Sequence, residues 1–269
     1  MRTIPPGFNT VLDEILLLAS GVEGHLIPKE IRFLALLAAV PSTTGEVLEI
    51  GSFKGKSTVV LAKAALLANQ ARIIAVDPLT SPSKTDPDLG AQTSGWRDFQ
   101  ANLKKTGVLQ TVEFHQQRSE DLAKKWDPSR KLRLLWIDGD HTYRGAKLDF
   151  DLFLPFLNDG AIVAIHDVLH QFDGPARIFA EDMLLSPNFG AAGFCGSIGW
   201  AQYVRSPNRS AKTMALKSDL YRRLTRIIPD LAFDQELKGL SKARYKLARA
   251  RIPHGEISPA AFLGQIQFI

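Results

Sequence analysis

Two short stretches of the 269-residue chain carry the clearest chemical signal. "WIDGDHTY" (136–143) supplies Asp138, Asp140 and His141, and "AIHDV" (164–168) supplies His166 and Asp167. Each stretch begins as an apolar run and turns polar at its end. Carboxylates and imidazoles gathered in this way can hold a divalent ion. Histidine is also the side chain whose ordinary pKa best suits proton removal near neutrality.

A third stretch, "VLEIGSFKGKST" (47–58), ends like a phosphate-binding P-loop. That motif separates its glycines by four residues. Here only Ser52, Phe53 and Lys54 lie between Gly51 and Gly55, and Ile50 stands where a glycine is required. An apolar strand carrying Glu49, then Gly-x-x-x-Gly, then a helix starting near Ser57, fits a different cofactor loop. Glycine there lets the backbone approach a ligand closely at the carboxyl end of a parallel strand. The loop amides and helix N-terminus can receive a carboxylate as well as a phosphate. The next apolar run, "RIIAVD", ends in Asp77, and an acid there is suited to accept ribose hydroxyls.

These residues need elements to position them. Short apolar runs at 46–51, 72–77, 111–116, 132–140 and 160–168 alternate with helical patterns at 56–70, 96–107, 119–126 and 143–157. The pattern predicts an α/β fold, doubly wound, with a mostly parallel sheet covered on both faces. Ser119 is expected to cap its helix. A helix near 175–185 and two glycine-bearing extended runs over 190–206 predict an antiparallel edge hairpin, making seven strands. Helices flank this unit at both ends, the last two falling within 209–250 and parted near Pro229. The expected division is an N-terminal helical cap (1–44), a cofactor-binding domain (45–207) and a C-terminal helical extension (208–269). The polar loop at 78–95 has the length and Gly/Pro/Ser content of a cover over a substrate.

The order Glu49, Gly51, Gly55, then Asp77, resembles the class I S-adenosylmethionine-dependent methyltransferases, whose first motif reads acid-x-Gly-x-x-x-Gly. The resemblance implies a Rossmann-like fold and assigns Glu49, Gly51, Ser52, Gly55, Ser57, Asp77, Ser119 and Asp138 to S-adenosylmethionine, with Ser119 beside the adenine. "DGDH…HD" is similar to the metal-dependent branch that includes the macrolide sugar O-methyltransferases and, more distantly, catechol O-methyltransferase. The likeness covers about 45–167. It implies a metal site of Asp138, His166 and Asp167, with His141 as the base. Two points depart from that pattern or stay open. Where the sugar enzymes have Glu, this chain has His166, which shifts preference toward transition metals and also admits a base or an orienting role. Asp140 competes with Asp138, which ranks higher because it directly continues its strand.

The implied reaction is transfer of a methyl group to a hydroxyl of a small molecule. A P-loop-like phosphotransferase using Lys56 and Ser57, and a non-catalytic cofactor-binding or assembly protein, are the competing readings. The net charge is +5, yet thirteen Lys/Arg and only four Asp/Glu fall within 205–252, so the remainder is acidic. No stacking aromatics or nucleic-acid motif accompany these charges, and a solvated helical face is the expected reading. No apolar run is long enough to span a membrane, and 12–19 reads as an amphipathic helix rather than a signal peptide. One cysteine, Cys195, excludes an internal disulfide and favours a cytoplasmic setting. The terminal helices offer surfaces for a homo-oligomer. The loop reading yields a contrast measurable by calorimetry with S-adenosylhomocysteine. Gly51→Val is expected to abolish binding, whereas Lys56→Ala is expected to be mild; equal losses would return the loop to the P-loop class.

Overall fold

The structure is a computed structural model that describes residues 3–69, 72–79, 95–206, 210–231 and 237–269. Most of the expected 78–95 cover, and the 207/208 boundary, lie outside the described residues. Seven strands form one sheet: β1 (Glu46–Ile50), β2 (Ile73–Val76), β3 (Val112–His115), β4 (Leu132–Ile137), β5 (Leu157–Ile165), β6 (Phe189–Cys195) and β7 (Ile198–Tyr203). Their order is β3-β2-β1-β4-β5-β7-β6. Strands β1 to β5 are parallel, and β7 runs antiparallel to both β5 and β6. This is the doubly wound, mostly parallel sheet with an antiparallel edge pair that the pattern predicted, and the Rossmann-like fold that the resemblance implied.

Helices α1 (Phe8–Ser20) and α2 (Pro28–Ala39) precede the sheet. Helices α3 (Lys56–Ala65), α4 (Trp96–Lys105), α5 (Ser119–Ala123) and α6 (Tyr143–Phe153) connect the parallel strands, and α7 (Asp173–Arg177) follows β5. The expected helix near 175–185 is α7 continued as a π-helical turn, Ile178–Leu184. Helices α8 (Ala211–Leu224), α9 (Gly239–Arg249) and α10 (Pro259–Leu263) follow the hairpin. Among the described residues, no helix is long and apolar enough to cross a membrane.

Side chains of a strand alternate between faces, and the core divides accordingly. On β4, Leu135 and Ile137 join one buried cluster with Phe150, Phe153 and Leu224. Leu134 and Trp136 join the other, with Phe33, Val59, Val60 and Phe262. The second cluster therefore takes in residues from α2 and from α10. Phe262 is fully buried, edge-on to Phe33 and Trp200 with ring centroids 5.8 and 5.2 Å away. Beyond it, Gln202 exchanges two hydrogen bonds with the Gln267 backbone, at 2.6 and 2.8 Å. Both ends of the chain thus share a core with the sheet.

Register is what positions the site. Val76 lies opposite Ile50, Ile50 opposite Ile137, and Ile137 opposite Ile165. The next residue on each strand, Asp77, Gly51, Asp138 and His166, therefore falls in one row at the carboxyl edge. Backbone bonds continue the row: Gly51 N–H donates to Val76 O, Asp138 N–H to Ile50 O and His166 N–H to Ile137 O, at 2.8–3.0 Å.

If the tail is part of the core, Phe262→Ala should cost about 3–5 kcal/mol of unfolding free energy. Urea denaturation measures it; a loss below about 1 kcal/mol would detach the tail from the fold.

Candidate active site

A cavity of about 920 Å³ opens over the carboxyl edge. One end is walled by Gly51, Ser52, Phe53, Asp77, Ser119 and Asp149, and the other by Asp138, His141, His166 and Asp167. The connection between α1 and α2 also lines it through Glu23, Gly24 and His25, and α9 contributes Arg249.

Gly51 has φ +86°, and a Cβ built there would overlap the backbone carbonyl of Asp138. The glycine therefore serves two needs, a left-handed backbone and close approach of β1 to β4. Gly55, at φ +90°, turns the chain into α3 at a point where a Cβ would press on the Phe99 ring. Asp77 braces the loop between them. Its Oδ2 accepts from the Ser52 and Phe53 amides, both at 2.8 Å, and its Oδ1 from Leu79 N–H at 2.6 Å. Burial nonetheless pushes its pKa up, and those amide bonds only partly oppose the rise. Four described non-glycine residues have positive φ, and three of them, Phe53, Leu79 and Asp167, line the cavity. Such costly backbone gathers at sites where the surroundings enforce it.

Glu49 does not reach the cavity. It is fully buried behind the glycine loop, where Oε2 accepts from Thr58 Oγ1 at 2.6 Å and Ser52 Oγ at 3.1 Å. Its Oε1 has no hydrogen-bond partner in the protein. Burial pushes the carboxyl up to about 7, against the lowering pull of nearby hydroxyls. Lys56 lines the cavity, but its ammonium donates to Gly24 O at 2.8 Å, and Lys54 pairs with Glu23 at 2.5 Å. The two loop lysines thus hold the α1–α2 connection over the site.

Ser119 opens α5 rather than capping it, since the cap position belongs to Arg118. The Ser119 hydroxyl instead donates to Asp149 Oδ1 at 2.5 Å. Asp149 is buried, and burial pushes its carboxyl up to about 6. Sequence reasoning passed over Asp149, yet a signal existed. It falls on the buried stripe of α6 formed by Ala146, Phe150 and Phe153, where an acid is out of place unless it has work to do.

At the other end, ligand atoms of Asp138, His141 and Asp167 all lie within 4.8 Å of one another. His141 Nε2 is 3.3 Å from Asp167 Oδ2 and 3.7 Å from Asp138 Oδ1. Both its ring nitrogens are buried without a well-formed hydrogen bond. The His141 ring stacks on Phe172 at 4.5 Å. Asp140 stays out of this cluster: its Oδ1 accepts from Thr142 N–H at 2.8 Å and its carboxyl packs on Gly145, shaping the turn into α6. His166 sits deeper, its Nδ1 3.1 Å from Asp138 Oδ1 and its Nε2 3.6 Å from Glu30 Oε2. Glu30 comes from α2, and its Oε1 accepts from Ser197 N–H and Oγ at 2.6 and 2.9 Å. Burial disfavours the charged imidazoles, but the flanking aspartates outweigh it. They raise His141 to about 10 and His166 well above its ordinary value. Burial likewise opposes the Asp167 charge, and the two histidines overcome it and hold that carboxyl well below the usual range.

Such an arrangement can hold a cation between two carboxylates and an imidazole, beside a cleft large enough for a nucleoside cofactor and a small acceptor. Of the sequence candidates, the structure brings Gly51, Ser52, Ser57, Asp77, Ser119, Asp138, His141, His166 and Asp167 to one cavity. Glu49 and Gly55 support it from behind. His25, His170 and Arg249 also line it and were assigned no chemistry from sequence, because only tertiary packing carries them there.

Comparison with known proteins agrees with this geometry. Residues 48–168 match a family described as a methyltransferase domain. That match, just under half of the chain, takes in the glycine loop and the whole row of Asp77, Gly51, Asp138 and His166. Among solved structures, it is similar to the cofactor-bound Rv0187 from MTB, with 20% identity and a TM-score of 0.52 over 77% of this chain and 100% of that one. It is also similar to an O-methyltransferase from Bacillus cereus in complex with SAH, with 18% identity and a TM-score of 0.51 over 73% of this chain and 91% of that one. At these identities the likeness to the two structures establishes a shared fold. A methyltransferase-family match over the glycine loop weighs against the phosphotransferase reading.

The state of Glu49 is open to measurement in the ligand-free protein. Its folded pKa of about 7 exceeds its ordinary 4.5, so the folded state holds a proton that the unfolded chain gives up. That stability is complete below about pH 4.5 and is lost as pH rises through about 7. Relative to Glu49→Gln, the wild type should lose on the order of 3 kcal/mol between pH 4.5 and pH 8. Parallel stability curves for the two proteins would contradict a buried, proton-holding Glu49.

Proposed function

We propose that the protein transfers a methyl group from S-adenosylmethionine to a hydroxyl of a small molecule, assisted by a divalent metal ion. The observation that carries this reading is the common row of Asp77, Gly51, Asp138 and His166 along one sheet edge, facing one cavity. Gly51 provides backbone space for the cofactor, and Asp77 keeps an acceptor lone pair on Oδ1 for a ribose hydroxyl. Ser119 and Asp149 stand where the nucleoside base would lie. The Bacillus cereus O-methyltransferase of the same fold was solved in complex with SAH, which supports the choice of cofactor.

Two half-buried carboxylates and a buried imidazole with unsatisfied nitrogens are a suitable donor set for Mg²⁺ or a transition metal. The geometry favours Asp138, His141 and Asp167 as the holding residues. His166, set between Asp138 and Glu30, is better placed to orient Asp138 than to join them. The ion, when bound, would lower the pKa of the acceptor hydroxyl and fix its approach. The sulfonium is already an activated methyl donor, so the protein's remaining tasks are alignment, exclusion of water and removal of one proton. Phe172 and the α1–α2 connection shield the cavity. His141, facing the acceptor space, is the residue through which the proton would leave if it is not committed to the ion.

Calorimetry separates these assignments. The wild type is expected to bind S-adenosylhomocysteine and not ATP; the reverse would restore the phosphotransferase. Mn²⁺ binding is expected to disappear in Asp138→Ala and His141→Ala, and to weaken about 10- to 100-fold in His166→Ala. Intact Mn²⁺ affinity with lost turnover in His141→Ala would make His141 the base instead. A wild-type protein indifferent to Mn²⁺ would remove the metal from the mechanism.

A further inference from the structure

Arg249 has no role in the chemistry above, yet it forms part of the cavity wall. Its Nε is shut off from solvent and hydrogen-bonds to nothing in the protein. Among the described residues, no carboxylate lies within ion-pair distance of its guanidinium. By contrast, the lysines of the glycine loop are engaged, Lys54 by Glu23 and Lys56 by Gly24 O. A buried polar atom left without a partner is uncommon enough to need a reason.

Helix α9 determines which end of the cavity Arg249 serves. Tyr245 Oη donates to Leu169 O at 2.6 Å and pins the helix to the segment after β5. Arg249 lies four residues on, so it shares that face of the helix. Tyr245 interacts electrostatically with both Arg249 and Asp167, and His170 with Asp167, so Arg249 lines the cavity at its Asp167 end. The acids nearby are already used: Glu30 accepts from Ser197 and Ile27, and Asp167 lies among the two histidines.

We infer that the methyl acceptor carries a carboxylate beside its hydroxyl, and that Arg249 receives it. This rests on the methyl-transfer reading given above. A guanidinium presents a planar pair of donors that matches a carboxylate bidentately. A single guanidinium suits a singly charged group, since a doubly charged one would face Asp138 and Asp167 with too little compensation. A neutral analogue would leave the guanidinium unpaired, which is how such a site discriminates. The basic tail then contributes to specificity as well as to the core.

The test uses protein loaded with S-adenosylhomocysteine and Mn²⁺, titrated with 3,4-dihydroxybenzoate and with 3,4-dihydroxybenzamide. These probes present adjacent hydroxyls and differ only in the carboxylate. The wild type is expected to bind the acid about 10- to 100-fold more tightly than the amide. In Arg249→Gln that ratio should fall to about one, with affinity for S-adenosylhomocysteine unchanged. Equal binding of the two probes by the wild type, no binding of either, or a ratio that survives in Arg249→Gln overturns the inference. Loss of S-adenosylhomocysteine affinity in the variant would assign the guanidinium to the cofactor's own carboxylate, overturning the inference but not the function. A wild-type protein that does not bind S-adenosylhomocysteine overturns both.

Discussion

The site depends on the register of four parallel strands. Val76, Ile50, Ile137 and Ile165 are held side by side by backbone hydrogen bonds. Whatever follows them must emerge along one line. A slip of one residue would turn each strand's side chains to the opposite face, removing Asp138 from the edge and breaking both cores. The same buried pattern that stabilises the sheet thus places the polar groups. At the other end of these strands, Arg130 forks onto Glu46 and Glu113 with bonds of 2.7–3.0 Å, tying β1 and β3 to the loop before β4. Stability and chemistry occupy opposite edges of one sheet.

Around that row the polar groups form connected chains rather than isolated residues. Ser197 donates to Glu30, Glu30 faces His166, and His166 contacts Asp138. Each link comes from a different element, so the hairpin and α2 both help orient the cluster. Partly satisfied networks in a low-dielectric interior are costly. The unsatisfied nitrogens of His141 and the elevated pKa of both histidines describe negative charge concentrated where a cation would relieve it. The chain's two ends close the cavity from above: 23–27 over the glycine loop, and α9 over the segment after β5.

Much of this was legible in the sequence. Strand order of appearance, the edge hairpin and the glycine loop followed from hydrophobic periodicity and from spacing. Asp138 was separable from Asp140 because it directly continues an apolar strand, and the structure shows Asp140 occupied in a turn. The roles of the histidines were less accessible. Spacing placed His141 and His166 at strand ends but not their depth. Depth is decided by Glu30, which lies far away in sequence and shares a hydrogen-bonded pocket with Ser197.

The sequence by itself determined the local terms: which segments are strands, which turn needs a glycine, and which residue types arrive at the sheet's carboxyl edge. These follow from short-range sterics and from the period of apolar side chains. Only the tertiary structure decided that Glu49 lies behind the loop instead of on the cavity, that Asp149 joins the site, and that Arg249 reaches it from the tail. Those placements depend on contacts between residues distant in the chain, set by the packing of whole helices against the sheet; the apolar stripe of α6 marks Asp149 as out of place but not what it meets, and no local pattern encodes the other two.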